Sequence, residues 1–276
     1  MGPEIGRGSF GIVRVSKYNG TAVAVKTVEI GTNIEAKSQA TKLLLSEVKS
    51  LAKVSHRNVV RLIGICINPP MLVMALAPGG SLRSLLDKHA ENGIPSKRGI
   101  AIIHGICEGM AALHAANILH LDLKPPNILM SSKLTTAIPW ITDFGLSMVV
   151  KEVSKSLASA SSTGRSNAAR GTLQYKAPEL FRTRKMGGPS YGKPADVYSF
   201  SMMAWEVFSG QVPFAEKMES EITAQHLMSM LGQDDPERPD LDNIPASMHS
   251  LLKGCWLDSP EEIMTFAMAQ EMFPQD

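Results

Sequence analysis

His120-Leu121-Asp122-Leu123-Lys124-Pro125-Pro126-Asn127, followed by Asp143-Phe144-Gly145, decides how the rest of the chain is read. Either stretch alone could arise by chance, so the reading depends on what surrounds them. Upstream, Gly6-Arg7-Gly8-Ser9-Phe10-Gly11 fits a G-x-G-x-x-G pattern, Ala22-Val23-Ala24-Val25-Lys26 ends an apolar alternation on a lysine, and Glu47 follows. Downstream stands Ala177-Pro178-Glu179. Six such elements in one order, at sensible intervals, exclude coincidence. The glycine pattern is weak by itself, because dinucleotide-binding folds share it. Those folds open a helix at the glycines, whereas here an alternating strand pattern follows.

The surrounding sequence divides in two. Ile12 to Val15 alternates, Asn19-Gly20 marks a hairpin turn, and Thr21 to Val25 alternates again, which predicts a β-hairpin. A helix is expected from about Glu35 to Val54, with Leu44, Val48 and Leu51 at helical spacing. Glu47 lies on that same apolar stripe, and a carboxylate there needs a partner. The apolar runs Val59 to Ile67 and Met71 to Ala77, either side of Asn68-Pro69-Pro70, predict another strand pair. From Pro78-Gly79-Gly80 onward helices dominate. Ser81 to His89 reads as a short helix capped by Ser81, and Ser96 to Ala116 as a long one. Pro194 to Phe208 is apolar on nearly every side and stops before Gly210, which describes a helix in the centre of a lobe. Val153 to Ala169, rich in Ser, Ala and Thr, reads as a mobile loop. A β-rich part joined to a helical part implies two lobes with a cleft between them, a usual place for a small-molecule site.

Composition narrows the alternatives. The 276 residues are 44% hydrophobic and 20% charged, with 22 Gly and 17 Pro, which excludes disorder, collagen and coiled coil. Lys+Arg at 28 against Asp+Glu at 26 leaves +2, too balanced for a general polyanion binder, so nucleic acid is not an expected partner. No apolar run approaches the ~18–20 residues that span a bilayer, and the N-terminus lacks a signal-peptide pattern. Cys66, Cys107 and Cys255 are widely spaced with no CxxC pair, and read as buried thiols of a reducing, cytoplasmic compartment.

Across nearly its whole length the sequence resembles the eukaryotic protein kinase catalytic domain. The resemblance implies an α+β, protein-kinase-like bilobal fold: a small antiparallel β N-lobe with one helix (about 1–75), a hinge (about 75–80) and a larger, mainly helical C-lobe (about 81–276). It implies ATP and Mg²⁺ between the lobes and protein substrates with Ser/Thr acceptors. A loose phosphoryl-transfer transition state mostly needs positioning and charge neutralisation: metal-binding oxygens, a cation on the phosphates and an acceptor for the hydroxyl proton. By similarity, Asp143 and Asn127 hold the metal, Lys26 paired with Glu47 grips the α- and β-phosphates, Asp122 accepts the proton and Lys124 neutralises the γ-phosphate. Gly6, Gly8 and Gly11 let the backbone approach the phosphates. Ile5, Val13, Ala24, Met74 and Leu129 enclose the adenine, whose edge meets the backbone of Ala75 and Ala77, while His120, Phe144 and Leu51 stack between the lobes.

Lys124, two residues after the base, follows the Ser/Thr-kinase pattern, and Thr172 in Gly171-Thr172-Leu173-Gln174-Tyr175-Lys176 resembles the threonine that contacts base and lysine in those enzymes. Ser55 to Gly64, Gly79-Gly80-Ser81-Leu82, Asp196 to Phe200 and Cys255-Trp256 look like the tyrosine-kinase-like group of mixed-lineage, receptor-interacting and Roco kinases, while the catalytic loop is Mos-like. Four positions depart from the pattern. Leu121 replaces the arginine that usually binds an activation-loop phosphate, which predicts activity that depends little on loop phosphorylation. Ile263 stands where a C-lobe arginine usually pairs with the glutamate of Ala-Pro-Glu, leaving Glu179 to another cation, with Arg238 the nearest upstream candidate, or the C-lobe weakened. Ala75 in place of a hinge glutamate and Ser201 in place of a glycine are milder. The competing reading is a pseudokinase, a scaffold without catalysis; the presence of Lys26, Glu47, Asp122, Asn127 and Asp143 argues against it. Oligomeric state is not read from the sequence.

Overall fold

The computed structural model describes residues 2–8, 11–27, 34–144, 147–149, 170–181, 192–215, 237–257 and 259–274. Its first part is a five-stranded antiparallel sheet of β1 (Glu4–Gly8), β2 (Gly11–Tyr18), β3 (Thr21–Thr27), β4 (Leu62–Cys66) and β5 (Met71–Ala75), in the order β1-β2-β3-β5-β4. The β2–β3 turn falls at the predicted Asn19-Gly20, where both residues take positive φ (48° and 78°) and suit the right-handed twist of the strands. Helix α1 (Ile34–Leu51) packs against β4 and β5 through buried Leu44 and Leu51. It stops before the expected Val54, because Lys53 and Val54 donate to carbonyls only three residues back and the last turn tightens.

The predicted strand Val59 to Ile67 is shorter than expected. Val59 bridges to Ile141 and the Val60 N–H donates to the Ile141 carbonyl at 2.9 Å, so these two residues are tied to the following part of the chain instead of the sheet.

That following part is helical. Helices α2 (Leu82–Leu86), α3 (Ser96–Ala115), α4 (Lys193–Ser209), α5 (Ala246–Cys255) and α6 (Phe266–Glu271) surround the short paired strands β6 (Ile118–Leu119) with β9 (Met148–Val149) and β7 (Ile128–Met130) with β8 (Pro139–Ile141). Ser81 caps α2 as predicted, its hydroxyl accepting the Ser84 N–H. Helix α4 is buried along almost its entire length, Ala195 through Ser209, and packs on α3 and α5. It ends at Gly210, whose φ of 75° closes the helix with an N–H bond to the Glu206 carbonyl. A side chain at Gly210 would also strike the Gly93 nitrogen and the His89 carbonyl, so glycine is required there twice over.

Ile263 is buried in the hydrophobic core, so an apolar contact occupies the position where a cation was looked for. Arg238 donates from Nε to the Trp256 carbonyl at 2.8 Å and lies 5.3 Å from the Tyr198 ring centre. Glu179 is buried and is not left without a partner. The Ser-rich stretch Val153 to Ala169 lies outside the described residues.

Candidate active site

Strand register gathers the first group of side chains. Val13 pairs with Lys26 and Lys26 with Leu72, while Val15 pairs with Ala24 and Ala24 with Met74. Cross-strand partners and residues two apart share a face, so Val13, Ala24, Lys26 and Met74 line one side of the sheet. Gly6 lies opposite Val13 and Gly8 opposite Gly11, whose φ of 133° few side chains tolerate. Ala24 and Met74 are buried, Val13 is half-buried, and Ile5 is 51% exposed, an apolar side chain left open at the end of the sheet. The Ala75 N–H is spent on the Arg61 carbonyl at 3.0 Å, which leaves the carbonyl as the group Ala75 can offer a ligand edge. Ala77 begins the turn to Gly80, and Leu129, half-buried on β7, bridges to Ser81 beside it.

Lys26 is the meeting point of three elements. Its ammonium lies 2.8 and 3.0 Å from the two Glu47 oxygens on α1 and 2.8 Å from Asp143 Oδ1. The partner that the apolar stripe of α1 demanded for Glu47 is therefore Lys26. Burial alone would push the Lys26 ammonium down, but Glu47 and Asp143 carry it above its ordinary value. Burial likewise works against the Asp143 carboxylate, and Lys26 outweighs it, holding that group below the usual carboxylate range.

The second group stands on the loop after β6. Leu121 takes a φ of +63°, a conformation that costs an L-residue roughly 1–2 kcal/mol. What holds it is Asp196 in the first turn of α4, fully buried, which accepts the His120 N–H at 2.8 Å and the Leu121 N–H at 2.7 Å. His114 closes on the same carboxylate at 2.8 Å. His120 Nε2 donates to the Thr142 carbonyl at 3.0 Å, so its Nδ1 is free to accept the Asp122 N–H at 3.3 Å, and its ring leans on Phe144 at 5.3 Å. One histidine thus ties the loop of Asp122 to the segment of Asp143.

Asp122 itself is asymmetric. Its Oδ2 receives Lys124 Nζ at 2.8 Å and Asn127 Nδ2 at 3.0 Å, and Asn127 Nδ2 also donates to the Asp122 carbonyl at 2.7 Å. Its Oδ1 is buried and, among the described residues, has no partner. A buried carboxylate oxygen without a donor is costly unless something else supplies one, and a substrate hydroxyl is such a donor.

Asn127 spends its amide hydrogens on Asp122, which leaves its carbonyl oxygen as a ligand atom; the Thr142 N–H donates to its backbone carbonyl at 2.9 Å and holds it beside the Asp143 segment. The oxygen atoms of Asp143 and Asn127 are the hard donors that Mg²⁺ takes, and they are few. Among the described residues no cluster of three or more His, Cys, Asp or Glu could hold a metal ion.

Thr172 lies in the turn Arg170–Tyr175; the placement of its side chain, like Gly145 and Ser154 through Ser166, lies outside the described residues. Two arrangements escaped the sequence reading. One is the Asp196 clamp, where a carboxylate opening an otherwise apolar helix carried the same signal that was followed for Glu47. The other is a second buried charge on α4: Glu206 accepts the Tyr175 hydroxyl at 2.6 Å and pairs with Arg83, which also reaches Asp87 at 2.8 Å. It fastens the turn before Ala-Pro-Glu to α2 and α4.

The family model described as "Protein kinase domain" matches residues 1–273. Among curated proteins the chain is 31% identical over 94% of its length to human "Mitogen-activated protein kinase kinase kinase 7", covering 38% of that protein. It is 30% identical over 98% of its length to "Serine/threonine-protein kinase CTR1" of Arabidopsis thaliana, covering 30% of it. To human "Receptor-interacting serine/threonine-protein kinase 1" it is 32% identical over 98% of its length, covering 39%. The chain therefore spans well under half of each of these relatives.

Proposed function

This chain belongs to the protein kinase domain family, and from that premise we propose that it transfers the γ-phosphoryl group of ATP to serine and threonine hydroxyls of proteins. The observation that carries the proposal is the Asp122 carboxylate, one oxygen held by Lys124 and Asn127 and the other buried and, among the described residues, without a donor. The open oxygen is the acceptor for the hydroxyl proton as the oxygen attacks phosphorus. Lys124, already against Asp122, is placed to face negative charge on the transferred group. Lys26, held as an ammonium by Glu47, grips the α- and β-phosphates; its bond to Asp143 is the one that nucleotide binding exchanges.

Asp143 and Asn127 would hold Mg²⁺, which when bound neutralises charge on the phosphates. Gly6, Gly8 and Gly11 bring backbone N–H groups to the phosphates, and Ile5, Val13, Ala24, Met74 and Leu129 enclose the adenine against the carbonyl of Ala75 and the backbone of Ala77. Thr172 would contact Asp122 and Lys124 and orient the acceptor. The strand-rich part to about residue 75 and the helical part from about 81, joined at 75–80, act as one catalytic unit.

The relatives' printed names support serine/threonine specificity. Lys124 supports it too, since its ammonium sits beside the base. The free thiols Cys66, Cys107 and Cys255 suit a reducing compartment, and we place the reaction in the cytoplasm. Among the described residues no helix is long and apolar enough to cross a membrane.

The test is transfer from γ-labelled ATP and Mg²⁺ to a protein substrate, followed by identification of the labelled amino acid. Label on serine and threonine is the expected result. Label confined to tyrosine would overturn the specificity, and no transfer to any acceptor would leave a nucleotide-binding scaffold.

A further inference from the structure

A cavity of about 530 Å³ lies outside the site described above, between the first turns of α3, the β7–β8 turn and the chain just after α6. Three cations line it: Arg57, from the loop after α1, and Lys97 and Arg98 in the first turn of α3. Among the described residues none of the three has a carboxylate partner, and Glu108 is the one carboxylate in the lining.

Two further observations point to a missing ligand. Arg98 Nε is buried without an acceptor, and so is the Asn58 Oδ1 without a donor; Asn58 is only 1% exposed, and its orientation is fixed by its Nδ2 bond to the Pro139 carbonyl at 3.0 Å. A buried donor left open is costly. The start of α3 is also electrostatically inverted. No side chain caps it, no acidic residue stands in its first turn, and two cations sit unfavourably at the positive end of the helix dipole.

An anion in the cavity would answer the cations, the open Arg98 Nε and the helix start at once. It pairs with the cations, accepts from Arg98 Nε and meets the exposed N–H groups of the helix start. The doubled guanidinium and the ammonium suit a dianion with several oxygens. The lining also includes the Phe273 and His104 rings, packed edge to face at 4.7 Å, which suit a compact organic group bearing that anion.

We propose that this cavity is a second binding site, separate from the ATP cleft, for a phosphate monoester on a small organic group. Either a free phosphoester or a phosphorylated side chain of another protein carries this chemistry. The experiment titrates the whole chain, its cleft saturated with a non-hydrolysable ATP analogue, with phenyl phosphate and, separately, with a phosphoserine peptide and its unphosphorylated twin.

Saturable binding of phenyl phosphate is expected, weakened about ten-fold or more in Arg98→Gln and in Arg57→Gln and unchanged in Lys17→Gln, an exposed lysine on β2. Tighter binding of the phosphopeptide than of phenyl phosphate would assign the site to a phosphoprotein, and the reverse to a free phosphoester. Thermal melting of each variant controls for folding, and Arg57→Gln, on an exposed loop residue, serves if Arg98→Gln is unstable. Absence of saturation by phenyl phosphate up to about 10 mM, or binding unchanged in both arginine variants, would overturn the proposal.

Discussion

Single side chains in this protein are set by what burial asks of them. Glu47 on an apolar helix face takes Lys26, and Asp196 at the start of α4 takes two backbone N–H groups and a histidine. The thiols obey the same logic with the opposite outcome. Burial pushes Cys255 up to about 12 and raises Cys107 as well, so both stay neutral and unreactive, while Cys66 is only half-buried. Alkylation of the native protein near pH 8 should therefore label Cys66 alone, with all three modified after denaturation; rapid native labelling of Cys255 would contradict the burial. A pH dependence follows. A thiol ordinarily ionises near 9.0, so the unfolded chain loses this proton first and the native chain keeps it to about 12. The contribution of Cys255 is complete below pH 9.0 and declines as pH rises towards 12. Urea midpoints of wild type and Cys255→Ala should then converge through that alkaline window, and a gap that widens there would reverse the sign.

At the scale of elements, α4 is the scaffold on which the loop that carries Asp122 is stretched. Its Asp196 compensates the strained backbone at Leu121, and its Glu206 fastens Tyr175 and Arg83. Removing a buried charged partner typically costs about 3–5 kcal/mol, so Asp196→Ala should destabilise the chain by that order and, where it still folds, lower kcat more than KM for ATP. A variant within about 0.5 kcal/mol of wild type in urea would show that the clamp is not needed. Much of this was legible in the sequence. The Asn19-Gly20 turn, the Ser81 cap and the burial of α4 all follow from local chemistry and periodicity. Three things were not. Val59 and Val60 read as strand because their apolar run is continuous, yet they pair with Ile141, a contact remote in sequence. The Asp122 asymmetry depends on which oxygen faces Lys124, which spacing does not encode. The cavity beside α3 unites the loop after α1, a helix start and the chain after α6, segments that share no motif.

Taken as a whole, the molecule is two parts that are chemically incomplete apart. The sheet contributes Lys26, the helical part contributes Asp122, Asn127 and Asp143, and the Lys26 ammonium reaches across to Asp143 at 2.8 Å. At this scale Leu121 matters most, because it carries no charge to hold a phosphate on the segment before Ala-Pro-Glu. Treatment with a phosphatase should accordingly change activity by less than about ten-fold; a larger fall that autophosphorylation restores would mean that another cation does the arginine's work. The central claim is that the open oxygen of Asp122 takes the substrate proton. Phosphate transfer from labelled ATP by wild type and by Asp122→Asn, purified side by side, tests it most directly. The account predicts loss of at least about 10²-fold in kcat for the variant, with ATP binding retained; equal transfer by the two proteins would contradict it.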